Sequence, residues 1–225
     1  MAGTTETTRT MREMLRGLAP FPAELPRFDV QAAPDDPVTL FLSWLAEAVR
    51  DGVPGPHTMT LATAGGAGRV SSRVLICKDI DGAGRWYFAS SSESVKGRDL
   101  AANPYAAASF WWPQQGRQIR ISGEAGSAGP EASAADFRAR PPASRAAALI
   151  GQQSEPLNDL ADLDDAFRTC EAKVGAEPEI VAANWTLYAL TAAEVEFWQA
   201  DQDRRHLRVQ YLRTDDGWDR RLLWP

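Results

Sequence analysis

The chain has 225 residues, 44 % of them hydrophobic and 24 % charged, the proportions of an ordinary globular protein long enough to bury a sizeable core. Its formal net charge of −6 excludes a general nucleic-acid or anionic-membrane binder, which needs an excess of Lys and Arg, so any anion site has to be local. Cys77 and Cys170 lie far apart with no C-x-x-C partner, so each reads as a free thiol. Two histidines, His57 and His206, cannot build a histidine-rich metal site, and no metal is expected.

Residues 1–30 are polar, Thr-rich and punctuated by "PFPAELP", which reads as a flexible N-terminal arm. They lack the apolar core of a signal peptide, and no apolar run reaches membrane-spanning length, so the expected location is the cytoplasm. The first strong element is a helix over 37–50, "PVTLFLSWLAEAVR": Asp36 suits its cap, Pro37 its first turn and Gly52 its stop. Its packing face is expected to carry Phe41, Leu45, Ala48 and Val49.

From residue 57 the hydrophobic period becomes two. "TMTLATA", "RVSSRVLICK", "RWYFASS", "YAAASFWW" and "RQIRISGEA" predict five strands joined by "GGAG", "DIDGAG" and "PQQG", with one helical interruption over 92–104. Such a series predicts an antiparallel sheet that curls into a barrel. The stretch 130–175 is Ala- and Leu-rich and poor in β-branched residues, a helical excursion. Strands then return over 184–225 with "NWTLYALTAAEVEFWQA", "RRHLRVQYL" and "GWDRRLLWP". A single domain over 31–225, mainly β with flanking helices, is the economical reading.

No nucleotide loop, nucleophile elbow or zinc-protease motif is present. Cationic and amide groups at strand ends and loops remain. Arg73 and Lys78 bracket the apolar "VLIC", so that strand should be anchored in the core with charged ends emerging. Ser94 and Lys96 fall in a polar loop entering a helix over 97–102, whose backbone N–H groups and dipole favour an anion. Gln118, Gln153 and Ser154 add polar groups. In "DRRHLRVQY", read as a strand, Arg204, His206 and Arg208 share one face and form a receptor for phosphate or carboxylate. A basic edge strand that discourages aggregation is the alternative reading of that stretch.

"SSRVLICKDID", "ESVKGRDLAANPYAAASFWW", "RQIRISGEA", "QQS", "VEFWQ" and "RRHLR", in this order, resemble the pyridoxamine/pyridoxine 5′-phosphate oxidases and the related phenazine-biosynthesis flavin oxidases. The resemblance runs from about residue 34 to the final "RRLLWP". It implies an FMN-binding split β-barrel of Greek-key antiparallel type, a homodimer with flavin at the subunit interface, and O2 as electron acceptor. The flavin contacts it implies are Arg73, Val74, Leu75, Ile76, Cys77, Lys78, Phe88, Ala89, Ser94, Lys96, Gln118, Gln153, Ser154, Trp198 and Arg208. The substrate contacts it implies are Lys78, Arg140, Ser144, Arg204 and His206, with Arg204 and His206 orienting the substrate for catalysis.

The implied reaction is oxidation of pyridoxamine or pyridoxine 5′-phosphate to pyridoxal 5′-phosphate. One alternative is aromatisation of a reduced heterocycle in secondary metabolism, and a second is a non-catalytic flavin-binding module. Three departures from the family pattern bear on this choice. Val95 replaces a flavin-phosphate cation, Asp136 replaces a substrate-phosphate tyrosine, and "NWTLYAL" replaces the usual Trp-Gly-Gly.

Overall fold

The computed structural model describes residues 10–225. The predicted arm falls partly on residues 1–9, outside the described residues; the part within them carries a short helix, α1 (Met11–Arg16), started by a Thr10/Glu13 capping box and burying none of its side chains. Helix α2 (Pro37–Arg50) begins where Asp36 accepts hydrogen bonds from the Val38 and Thr39 backbone N–H groups, and Pro37 occupies its first turn. Gly52 follows its end at φ +70°, a left-handed conformation that glycine takes without strain.

Nine strands form one sheet: β1 (Thr58–Ala64), β2 (Val70–Ile76), β3 (Asp79–Asp81), β4 (Arg85–Ser91), β5 (Tyr105–Trp112), β6 (Arg117–Ser127), β7 (Trp185–Gln199), β8 (Leu207–Thr214) and β9 (Gly217–Leu222). All pairings are antiparallel, in the order β2-β1-β5-β6-β7-β4-β3, with β8 and β9 continuing from the far half of β7. β2 and β4 approach each other and curl the sheet into a barrel. Helix α3 (Val95–Ala102) links β4 to β5, and α4 (Pro130–Arg138), α5 (Pro142–Leu149) and α6 (Leu160–Ala176) form the helical excursion.

β7 organises the split. Its first half pairs with β4 from Ser91↔Trp185 to Arg85↔Thr191, and its second half pairs with β8 on the same edge. The register against β6 shifts between Ser122 and Gly123, a bulge that lets β7 change partners. At Gly123 a Cβ would lie 2.0 Å from the Thr191 carbonyl oxygen, so only glycine fits. Arg213 closes the seam by donating to the carbonyls of Ala192 at 2.6 Å and Ala83 at 2.8 Å.

The barrel interior holds Leu61, Trp86, Phe110, Ile119, Val195 and Phe197, all fully buried. Burial of each such side chain contributes roughly 1.5–3 kcal/mol. Helix α2 covers one opening: Phe41 meets Phe110 edge-on at 4.9 Å and Trp44 meets Phe197 at 5.2 Å. Beside them the buried Arg117 guanidinium lies 4.2 Å over Trp44 and pairs with Glu47 at 2.7 Å. Val49, expected on the packing face, is instead exposed, while Val38 and Leu40 take buried positions. The apolar stripe sits about one residue position round from the expected one, because the helix meets the sheet through Phe41 and Trp44.

Three further expectations are corrected. The "DIDGAG" turn contains the short strand β3, which pairs with β4. β2 is an edge strand with Val70, Val74 and Ile76 exposed, so "VLIC" is not anchored in the core from both sides. Residues 203–206 are not strand, because β8 starts at Leu207. Asp201 holds them in a turn by accepting from the Asp203 and Arg205 N–H groups at 2.9 and 3.1 Å, and these local bonds replace a sheet ladder.

Candidate active site

The structure collects the predicted residues into two groups. The first lies at one end of the barrel, where β2, β4 and the start of α3 converge. Lys96 stands in the first turn of α3 rather than in the loop before it, and is only 5 % exposed. Its ammonium donates to Ser90 Oγ at 2.9 Å and Ser94 Oγ at 3.1 Å. Ser94 caps the helix by accepting from the Gly97 N–H, and Ser90 donates to Gln153 Oε1 at 3.2 Å. The Val95 N–H donates to Ser154 Oγ at 3.4 Å.

Arg73 reaches the same end from β2. Its guanidinium donates to Ser71 Oγ at 2.6 Å and Thr63 Oγ1 at 2.8 Å, and both hydroxyls donate to Asp99 on α3. Among the described residues no carboxylate lies within ion-pair distance of Lys96. Burial, reinforced by the nearby Arg73 charge, lowers the Lys96 pKa to about 8. A buried cation held by hydroxyls beside a second cation is an arrangement completed by an anion. The phosphate of FMN fits this donor set.

Glycine at position 97 makes the arrangement possible. A Cβ there would lie 2.3 Å from the Ser92 carbonyl oxygen, so α3 packs against the backbone that follows β4. That close approach sets Lys96 beside Ser90.

A cavity of about 970 Å3 opens next to this cradle, lined by Leu75, Ala89, Ser90, Gln153, Arg140 and Trp185 among others. Four predicted residues thus meet in one space. Arg140 lies 4.0 Å over the Trp185 ring, and its Nη1 is buried without a hydrogen-bond partner. Lys78 forms an ion pair with Asp136, whose second oxygen accepts from Trp185 Nε1 at 2.8 Å. Asp136 therefore stands with Lys78 against Trp185, whose ring and Arg140 line the cavity. Ser144 is half-buried on α5 and does not line the cavity.

Other predicted contacts are placed differently. Phe88 is a core residue stacked on Tyr188 at 5.3 Å, so its side chain faces away from the cavity. Val74 and Ile76 point outward from β2, and Cys77 directs its sulfur at the Asp79 carbonyl at 3.6 Å. Burial pushes the Cys77 thiol up to about 12, which keeps it protonated and inert.

The second group occupies the outer face of the sheet at the far end of β7. Gln118 pairs in register with Trp198, and Trp198 with Arg208. Trp111 packs against Trp198 at 6.1 Å, and the His206 ring lies 4.7 Å from it. His206 Nδ1 accepts from the Asp201 N–H at 3.1 Å, so a proton on the neutral ring resides on Nε2. Arg208 donates to Glu196 Oε1 and to the Trp224 carbonyl, both at 2.8 Å. Arg204 sits in the turn at φ +62°. Arg204 and Ser154 are the two non-glycine residues with positive φ among the described residues, and both belong to the predicted site. Such strained backbone is concentrated at functional positions.

Sequence reasoning missed Ser90, which holds Lys96; Asp99, which orders Arg73 through Thr63 and Ser71; Trp185, which supports Arg140 and Asp136; and Glu196, which holds Arg208. Only Glu196 carried a signal, as the lone acid of "VEFWQ" that follows Val195 into a strand face shared with Trp198's neighbours.

Comparison with known proteins is specific about the class to which this barrel, anion cradle and adjoining cavity belong. Residues 45–199 match the model of the pyridoxamine 5′-phosphate oxidase family, and residues 185–225 match the pyridoxine 5′-phosphate oxidase C-terminal dimerisation region. The chain belongs to the pyridoxamine 5′-phosphate oxidase family. It is 39 % identical over 196 residues to the pyridoxine/pyridoxamine 5′-phosphate oxidase of Thermosynechococcus vestitus, covering 86 % of this chain and 90 % of that protein. It is 39 % identical over 205 residues to the protein of the same name from Herminiimonas arsenicoxydans, covering 90 % and 94 %. Among solved structures, PhzG from Burkholderia lata 383 in complex with tetrahydrophenazine-1-carboxylic acid superposes with a TM-score of 0.80 at 31 % identity, covering 89 % of this chain and 99 % of that one. Among the described residues no helix is long and apolar enough to cross a membrane.

Proposed function

We propose that this protein is an FMN-dependent oxidase whose flavin site is shared between two copies of the chain. The observation that carries the reading is Lys96, a buried ammonium with hydroxyl partners and, among the described residues, no carboxylate within ion-pair distance, beside Arg73. These two cations, with Ser94 and the first turn of α3, would hold the FMN phosphate. Leu75, Ala89 and Gln153 would line the ring system in the adjoining cavity.

The case for two chains rests on facing. Lys96 and Ser90 lie at the inner end of the barrel where β4 meets Thr186 of β7. Gln118, Trp198 and Arg208 lie on the outer face of the sheet, along the half of β7 that pairs with β8. A flavin in the cavity of one chain would not meet that chain's outward-facing group, whereas a second copy can bring its Trp198 group to the first copy's cradle. The exposed apolar residues Val74, Ile76 and Trp111 on that outer face support a homodimer, as does the match to a dimerisation region.

Bound FMN would supply the redox chemistry, taking a hydride from a substrate carbon and passing the electrons to O2. The chain's residues bind and orient. Arg208, fixed by Glu196, would place a positive charge near the ring. His206 would offer its Nε2 to the substrate, and Arg204 an oxyanion-binding fork.

Two substrate classes are supported by different observations. The relatives' names favour pyridoxine or pyridoxamine 5′-phosphate. The Asp136–Lys78 pair beside Arg140 supports a reduced aromatic heterocycle without phosphate. The test of the flavin reading is an absorption spectrum of the purified protein incubated with FMN and desalted. A retained flavin band that bleaches on anaerobic addition of a reduced heterocycle and returns under air is expected. Protein that emerges free of flavin would remove the reading.

A further inference from the structure

We propose that Asp136 is a specificity-determining residue that sets the substrate subsite against phosphate monoesters and in favour of a singly charged carboxylate, an inference that rests on the flavin reading above.

Lys78, Asp136 and Arg140 gather round the Trp185 ring, and of this group Arg140 and Trp185 line the cavity. Lys78 and Asp136 are paired, and the Asp136 side chain is only 13 % exposed. Its other oxygen is held by Trp185 Nε1 at 2.8 Å, so the carboxylate is fixed from two sides and cannot swing away when a ligand enters. Arg140 is the cation of this group outside that pair. Its guanidinium lies flat on Trp185, with Nη1 buried and unpartnered. A planar fork with an unused buried donor suits a carboxylate.

The charge count sets the selectivity. On the cavity lining Glu155, Asp162 and Asp164 against Arg168 add no further positive charge, while around Trp185 Lys78 and Arg140 against Asp136 leave one net positive charge. A carboxylate neutralises it, whereas a phosphate monoester brings a charge of about −1.5 to −2 and stands next to Asp136. To bind the phosphate, Lys78 would have to leave Asp136, stranding a buried carboxylate beside a second anion. Like-charge juxtaposition of this kind lowers affinity by roughly 10- to 100-fold.

Asp136 also ties α4 to Trp185, so the decisive readout is the ratio of affinities for two ring compounds. Asp136→Asn keeps the shape and an oxygen for Trp185 while removing the charge. The FMN-loaded protein, verified by its flavin absorbance, is titrated with pyridoxal 5′-phosphate and with 4-pyridoxate, binding being followed through the flavin spectrum. Wild-type protein is expected to bind the carboxylate more tightly than the phosphate. Asp136→Asn is expected to raise phosphate affinity roughly 10- to 100-fold with little change for the carboxylate, and to raise kcat/KM for pyridoxine 5′-phosphate in step. Wild-type protein that binds pyridoxal 5′-phosphate at least as tightly as 4-pyridoxate overturns the proposal, whether or not the variant folds, as does an unchanged ratio in a folded variant. Protein that retains no FMN fails at the first step and overturns the flavin reading itself.

Discussion

Lys96 donates to Ser90 Oγ at 2.9 Å, and among the described residues no acid stands within ion-pair distance to balance it. In the flavin-free protein this is an unfavourable arrangement, because burial disfavours the ammonium and Arg73 adds a like charge. A bound phosphate reverses the balance. Lys96→Met should therefore raise the melting temperature of the flavin-free protein and weaken FMN binding. The loss of one charge-assisted contact, roughly 1.5–3 kcal/mol, corresponds to about 10- to 150-fold in Kd. Thermal melts with and without FMN, alongside a fluorescence titration, read both effects.

The same group gives a pH dependence. Its pKa is lowered from 10.5 to about 8 in the folded chain. Between these values the unfolded chain holds more protons than the folded one, so the flavin-free protein gains stability as pH rises through that window. The penalty is complete below about 8. Phosphate binding needs the protonated ammonium, so FMN affinity falls as pH rises above about 8, by up to about tenfold per unit for one proton. Lys96→Arg should flatten this profile; an unchanged profile would show that Lys96 does not meet the phosphate.

Gly97→Ala should cost both stability and flavin. The added Cβ would meet backbone atoms of Ser91 and Ser92, the nearest at 2.3 Å, and backbone cannot rotate aside. Displacement of α3 by overpacking costs about 1–3 kcal/mol, or several degrees in Tm for a chain of this size. FMN retention after desalting should fall with it, since α3 carries Lys96.

Along the turn and strand 204–208 the expected effects divide by residue. Arg208→Ala removes the cation held by Glu196 and should weaken FMN retention. Arg204→Ala and His206→Ala should leave FMN bound and lower turnover, because neither is part of the strand ladder or the cradle. Equilibrium dialysis of FMN and steady-state oxygen uptake separate the two classes. Equal behaviour of all three variants would contradict the assignment.

Much of the barrel was legible in the sequence because its strands follow a strict period of two: "TMTLATA", "RWYFASS" and "YAAASFWW" match β1, β4 and β5 residue for residue. The family resemblance reaches further, to Arg73, Lys96, Gln118, Trp198 and Arg208. What it could not show was their division. Alternation predicted that Arg204, His206 and Arg208 share a strand face, but Asp201 recruits the intervening N–H groups into a turn. The partners Ser90, Asp99 and Trp185 were hidden for a different reason. They act across strand pairings and helix contacts far apart in sequence, and a single chain carries no local pattern for such contacts.

The shared flavin site can be tested by complementation. Lys96→Met and Trp198→Ala chains, each carrying a different affinity tag, are expected to retain little FMN as separate homodimers. In a mixed dimer purified through both tags, one site collects both substitutions and the other has none. About one FMN per mixed dimer, bound as tightly as in wild-type protein, is the expected result. Mixed dimers that hold no more flavin than either parent would place Lys96 and Trp198 in a site within one chain and contradict the proposal.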